Sequence, residues 1–173
     1  MSKKIFLVTF IFLLSLIKSV LSAEIFYIDI NYLMNNSVAG KSIISQIDVK
    51  KKNLSNKFDK EENDLRQKES KLVSQKNLLK NEEFEIKVNF LKEEIDKYNS
   101  TKQESVTLLN KKKVIAENEL AKEISILIGD HAEKNSISII LHKNSIIIGK
   151  KDLDLTSVIL KNLNDKLKKI KIK

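Results

Sequence analysis

His131 and His142 are the only two histidines of the chain, so a metal or hydrolytic centre would have to be built around one of them. The chain has no cysteine to join either one, and neither histidine sits at ligand spacing from an acidic cluster. Glu93, Glu94 and Asp96 are a dense group of carboxylates. Neighbouring helical positions point about 100° apart, so these acids fan around a rod instead of converging as an acid/base pair. Gly40, Gly129 and Gly149 stand far from one another, and a phosphate-cradling loop needs glycines close together. The 32 basic residues outnumber 23 acids for a formal charge of +9, yet Arg66 is the only arginine. Lysine lacks the guanidinium fork that reads bases, which points to diffuse attraction. No catalytic residue, no metal and no cofactor is expected, and the chain is not read as an enzyme.

The elements that could carry any other function begin with the first residues. Lys3 and Lys4 precede an uncharged apolar run over residues 5–17, followed by small residues at Ser19, Ser22 and Ala23. This is the layout of a secretory signal peptide over 1–22, cleaved near Ser22 or Ala23. The run is shorter than the roughly 18 residues expected of a spanning helix. Lys18 sits between the run and the cleavage site, which keeps a retained membrane anchor as an alternative. Export places the mature protein in the bacterial envelope, where no ATP is expected to drive its work.

With 173 residues and no proline, the chain is free of both helix breakers between Gly40 and Gly129. A helix is the default for such a segment. Ile44, Ile47, Leu54, Phe58, Leu65, Leu72 and Leu79 form one stripe with a period near 3.5. Phe84, Val88, Leu91, Ile95, Tyr98, Leu109, Ala116 and Leu120 form a second stripe after a break at residues 80–83, where Asn81 is expected to cap the new helix. Facing positions in an antiparallel pair have numbers with a constant sum. Leu79 with Phe84, Leu72 with Leu91, Leu65 with Tyr98 and Leu54 with Leu109 all sum to 163. A helical hairpin arm over 41–123 follows, each helix of roughly 40 residues spanning about 60 Å.

Glu61, Lys68 and Gln75 occupy the places of a second apolar row, so the seam is half polar and the arms are expected to bend and splay. The apolar residues that a weak seam leaves available are candidate client contacts: Phe58, Leu65, Leu72, Leu79, Phe84, Val88, Leu91 and Tyr98. The alternative is ordinary hairpin core, a reading that applies above all to Leu65, Leu72 and Leu91. The same register sets Lys50, Lys51 and Lys52 against Lys111, Lys112 and Lys113, a candidate basic belt for anionic lipid, lipopolysaccharide or an acidic client. The plainer reading of these lysines is a solvated outer face.

The two ends of the mature chain, 23–40 and 124–173, are read as a small β-rich body. Residues 24–30 form a strand, residues 137–141 and 146–148 a β-hairpin, and residues 153–167 a helix with Leu155, Ile159, Leu163 and Leu167 on one face. Three strands and one helix bury too little surface to stand alone. Oligomerisation is therefore expected through Ile25, Tyr27, Ile137, Ile139, Leu141, Ile146 and Ile148. The fold class is α+β, predominantly helical, with a long antiparallel helical hairpin arm on a small β-rich oligomerisation body.

Four short segments in this order resemble the periplasmic chaperone family called Skp or OmpH. They are Ile28-Asp29, the Ser37, Gly40, Lys41 turn, residues 132–141, and Asp154, Leu155, Thr156 before the last helix. Asn135 departs from the family's usual glycine. Arg66 alone stands where relatives can carry an arginine-bearing lipopolysaccharide cluster, so that site is not transferred. The resemblance implies a homotrimer whose arms enclose unfolded outer-membrane proteins without ATP. The rival readings are an envelope coiled-coil adaptor with a fixed folded partner, and a basic DNA-binding protein. The export signal and the lack of aromatics among the lysines argue against any nucleic-acid partner.

Overall fold

The computed structural model describes residues 25–172. The signal-peptide reading of residues 1–22 lies outside them. The chain folds as β1 (Ile25–Ile28), α1 (Ile30–Asn36), α2 (Val38–Ser74), α3 (Asn81–Lys134), β2 (Ile139–His142) and α4 (Thr156–Lys166), with single 3-10 turns at Lys143–Ser145 and Lys151–Leu153. This is an α+β fold dominated by helix.

Asp29 ends β1 and starts α1, its Oδ1 accepting the Tyr32 backbone N–H at 2.8 Å. No periodic pattern marks this helix in the sequence, because seven residues are too few for one to stand out. Ser37 then turns the chain. Its backbone is extended, its buried Oγ accepts the Gly40 N–H at 3.0 Å, and α2 begins at the next residue. A Cβ on Gly40 would overlap the Met34 carbonyl oxygen, so only glycine lets α2 leave α1 at this angle.

α2 and α3 run antiparallel as a hairpin, as the constant-sum register predicts. The turn differs in detail: α2 stops at Ser74, and residues 75–80 make the reversal. Leu79 is therefore in the turn and not on the helix. Lys80 occupies the cap position with no side-chain bond, and Asn81 is already helical, so the expected Asn81 cap is not formed. Glu82 and Glu83 do lie in the first turn of α3, where the helix dipole favours acids. At the base, the arm helix runs through Gly129 to Lys134, beyond the expected boundary at 123. Ile44 is exposed, and Ile43 points inward instead with Ile47.

The expected β-hairpin of the body is not formed. β2 pairs in parallel with β1, Ile25 opposite Ile139 and Ile28 opposite His142, and residues 146–148 join no strand. The other edge of β1 is closed by the Tyr27–Asp154 bridge, with the Leu155 N–H donating to the Tyr27 carbonyl at 2.9 Å. One apolar core joins the body to the base of the arm: Ile28 and Leu33, Ala39, Ile43 and Ile47 of α2, Ala116, Leu120 and Ile124 of α3, Ile159 and Leu163 of α4, and Ile170 and Ile172 of the C-terminal tail.

Candidate functional site

Along the arm, Phe58, Leu72, Leu91 and Leu109 are buried between the two helices. Tyr98 stands edge-on to Phe58 with ring centroids 5.9 Å apart. Its hydroxyl donates to Glu62 Oε2 at 3.1 Å and accepts from Lys102 Nζ at 2.9 Å, and Glu62 Oε1 is held by Arg66 at 2.8 Å. The Arg66 guanidinium first, and the Tyr98 hydroxyl second, hold the Glu62 carboxyl below its ordinary range. The bond that Lys102 donates to Tyr98 raises the Lys102 ammonium above its ordinary value. Mid-arm, then, an aromatic pair is locked from above by a polar chain crossing from α3 to α2.

The polar row expected to weaken the seam is in part paired. Lys68 reaches across to Glu94 at 2.6 Å. Beside it lies an open groove of about 530 Å³ whose walls include Glu61, Leu65, Lys68, Phe90, Glu94 and Tyr98. A second groove of about 370 Å³, nearer the body, is lined by Leu54, Leu108 and Leu109 together with Lys50, Lys57 and Lys112. In the first groove the charged ends of Lys68 and Glu94 bridge the helices without filling the space that two leucines would occupy.

The eight expected client contacts divide sharply. Phe58, Leu72 and Leu91 are inside the seam, within reach of a client only if the helices part. Leu65, Leu79, Phe84 and Tyr98 are half-buried, and Val88 alone is open. The apolar surface of the outer arm is made instead by Val73, Leu78, Ile86 and Phe90, all more than 60% exposed. A stripe search passes over them because it keeps only residues that face the partner helix. Their signal was their very position off the stripe.

The basic belt is not one band. Lys50 and Lys112 share the second groove, and Lys51 lines a different one with Phe58 and Lys102. Lys113 is paired with Glu117 at 3.4 Å, while Lys52 and Lys111 are exposed outside both grooves. Three consecutive helical lysines cannot share a face, since each is turned about 100° from the last.

In the body, Ile25, Ile139, Leu141 and Ile148 are exposed, and Ile147 beside them is fully so. Tyr27 is buried within its own chain, its hydroxyl donating to the Lys150 carbonyl at 3.2 Å, and Ile137 and Ile146 are half-buried. Tyr27 is thus a core residue and not part of the open face. Thr156 Oγ1 accepts the Asp29 N–H at 2.9 Å, and Asp154 accepts the Thr156 N–H at 2.9 Å and the Lys143 ammonium at 3.2 Å. Burial works to raise the Asp154 carboxyl, but the bonds from Thr156 and Lys143 outweigh it and hold the group below its ordinary range. Two of the sequence motifs, Asp29 and Asp154 with Thr156, meet here as a structural joint.

Among the described residues no cluster of three or more metal-ligating side chains is present, and no helix is long and apolar enough to cross a membrane. His142 serves its own turn, Nδ1 accepting the Asn144 N–H at 3.2 Å.

A family model described as Outer membrane protein (OmpH-like) matches residues 24–163. No curated relative matches the chain. Among solved structures, an OmpH-like protein of Caulobacter crescentus, named as a candidate outer membrane chaperone, superposes with a TM-score of 0.81 at 13% identity, covering 85% of this chain and 87% of that one. At that identity the likeness is one of fold. With the family match extending from the first strand into the last helix, the chain belongs to the OmpH-like outer membrane protein family.

Proposed function

We propose that this chain is an ATP-independent holdase of the periplasm that takes unfolded outer-membrane proteins into the space between the arms of a homotrimer and keeps them from aggregating. The observation that carries the reading is the arm: helices of 37 and 54 residues whose outer part exposes Val73, Leu78, Ile86, Val88 and Phe90. Scattered apolar side chains among lysines suit a partner that is itself unfolded, because many weak contacts hold such a chain without fixing one conformation. The lysine excess draws in acidic clients from a distance. The family's name and the Caulobacter crescentus protein's description both point to outer-membrane clients.

In this reading residues 1–22 are the cleaved export signal, 41–123 the arm, and 23–40 with 124–173 the trimerisation body. Anionic lipid or lipopolysaccharide contact would be sought first at Lys50 and Lys112, which line their groove together with leucines.

The test dilutes a urea-unfolded outer-membrane barrel into buffer with and without the mature protein and follows light scattering, with mass measured in the same sample. Suppressed scattering at about one trimer per client is expected for an enclosed client. A double variant, Ile86→Ser with Phe90→Ser, should keep its melting temperature and mass and lose severalfold in suppression. Unchanged scattering with the folded parent trimer would refute the holdase reading and favour a structural adaptor.

A further inference from the structure

After α4 ends at Lys166 the chain does not leave the molecule. Residues 167–172 bend at Lys168 and run back across the base of the arm, with Ile170 and Ile172 buried in the shared core and Lys168, Lys169 and Lys171 facing solvent. Gln46 of α2 holds this segment as a neighbouring strand would. Its Nε2 donates to the Ile170 carbonyl at 2.8 Å, and its Oε1 accepts the Ile172 N–H at 3.3 Å. Two further contacts make α4 a bridge between the arm helices. Asn164 Oδ1 accepts the Val38 N–H at the start of α2 at 2.8 Å, and Lys166 pairs with Glu123 of α3 at 3.4 Å.

We propose that residues 167–172 are a strap that sets the angle and spread of the arm. Fastened at Gln46, the strap ties the first turns of α2 to α4, and α4 ties α2 to α3, so both helices leave the body at a fixed angle. Unfastened, α2 keeps its core contacts and the single Val38–Asn164 bond at its first residue, and the arm gains freedom to swing about that end. About 40 Å of α2 lies beyond Gln46, so a change of about 10° at the base moves the tip by roughly 7 Å. The alternation of lysine and isoleucine serves this role. The isoleucines anchor the strap, and the exposed lysines, which make no ion pair among the described residues, raise no barrier to its release into water.

The chain has no cysteine, which makes paired spin labels straightforward to place. Labels on Asn77→Cys at the arm tip and Asn144→Cys on the body report arm spread, with labelled protein diluted into unlabelled protein. A label on Lys171→Cys in a separate sample reports whether the strap is fastened. With the parent strap, an immobile label at 171 and a narrow tip-to-body distance are expected. Ile170→Ser with Ile172→Ser should free the label at 171 and broaden the distance distribution by about 7 Å or more. Gln46→Ala, which removes the two strap contacts and otherwise only bonds to Ser42 one turn earlier in the same helix, should move both readouts in the same direction by less, and it decides the matter if the double variant does not fold. A freed strap with an unchanged arm distribution would overturn the proposal, as would a label at 171 that stays immobile in every folded variant.

Discussion

Ser136 has a φ of 53°, the left-handed conformation that ends α3. Its N–H donates to the Glu133 carbonyl at 3.2 Å and the next N–H, of Ile137, to the Ala132 carbonyl at 2.9 Å, the paired bonds that close a helix on a left-handed residue. Asn135 before it keeps a negative φ, so the place that calls for glycine is one residue later than the sequence comparison with the family suggests. Ser136→Gly is expected to raise stability by about 1 kcal/mol, read as a higher urea midpoint with an unchanged slope. At the joint between Asp29, Thr156 and Asp154, stability should depend on pH. The folded Asp154 carboxyl lies below its unfolded value, so its contribution is complete above the ordinary carboxylate range and is lost as the pH falls through the folded value. Lys143 is raised by the bond it donates to Asp154, so its share is present below the ordinary lysine range and fades only at high pH. The difference in melting temperature between the parent and Asp154→Asn should therefore be largest near neutral pH and shrink toward pH 3.

At the scale of elements, the arm alternates closed layers with charged ones. Phe58 against Tyr98, and buried Leu72 and Leu91, are the closed layers, and Lys68 with Glu94 is a charged one. Both partners of that pair keep contact with solvent, so the pair itself contributes about 0–1 kcal/mol, whereas two leucines buried there would contribute about 1.5–3 kcal/mol each. Lys68→Leu with Glu94→Leu should raise the arm's melting temperature and protect its amide protons from exchange. If client uptake depends on arm flexibility, the same variant should suppress aggregation of small barrels as before and large ones less well. Replacing Lys68 alone is the poorer experiment, because Glu94 would lose its partner in a half-buried place.

For the whole molecule, the body presents Ile25, Ile139, Leu141, Ile147 and Ile148 to solvent around a sheet of only two strands. A surface of that kind is stabilised by pairing with further copies. If the proposed homotrimer forms through this face, Ile139→Asp with Ile148→Asp should shift the mass measured by light scattering from trimer to monomer while leaving the helical signal of the arm in place. Loss of client protection in that monomer would tie function to assembly; protection by a monomer would show that a single arm suffices.

Periodicity, charge and the absence of helix breakers determined the arm, because helical structure and the facing of two antiparallel helices depend on spacings within about 90 residues of uninterrupted chain. Lys68 meets Glu94, Lys102 approaches Glu62 and Leu54 shares a groove with Leu108 and Leu109, each close to the predicted register. Which apolar residues lie in the seam and which on its flanks was less legible, since a stripe of period 3.5 names the facing row and is silent about Ile86 or Phe90. Tertiary structure alone decided how the elements of the body pair. β1 pairs with a strand more than 100 residues away in parallel, Thr156 receives the Asp29 N–H across the same distance, and Gln46 takes the tail at Ile170 and Ile172. Nothing in a local pattern selects those partners. They are chosen by which backbone groups and apolar side chains must be satisfied together once the arm has brought the two ends of the chain side by side.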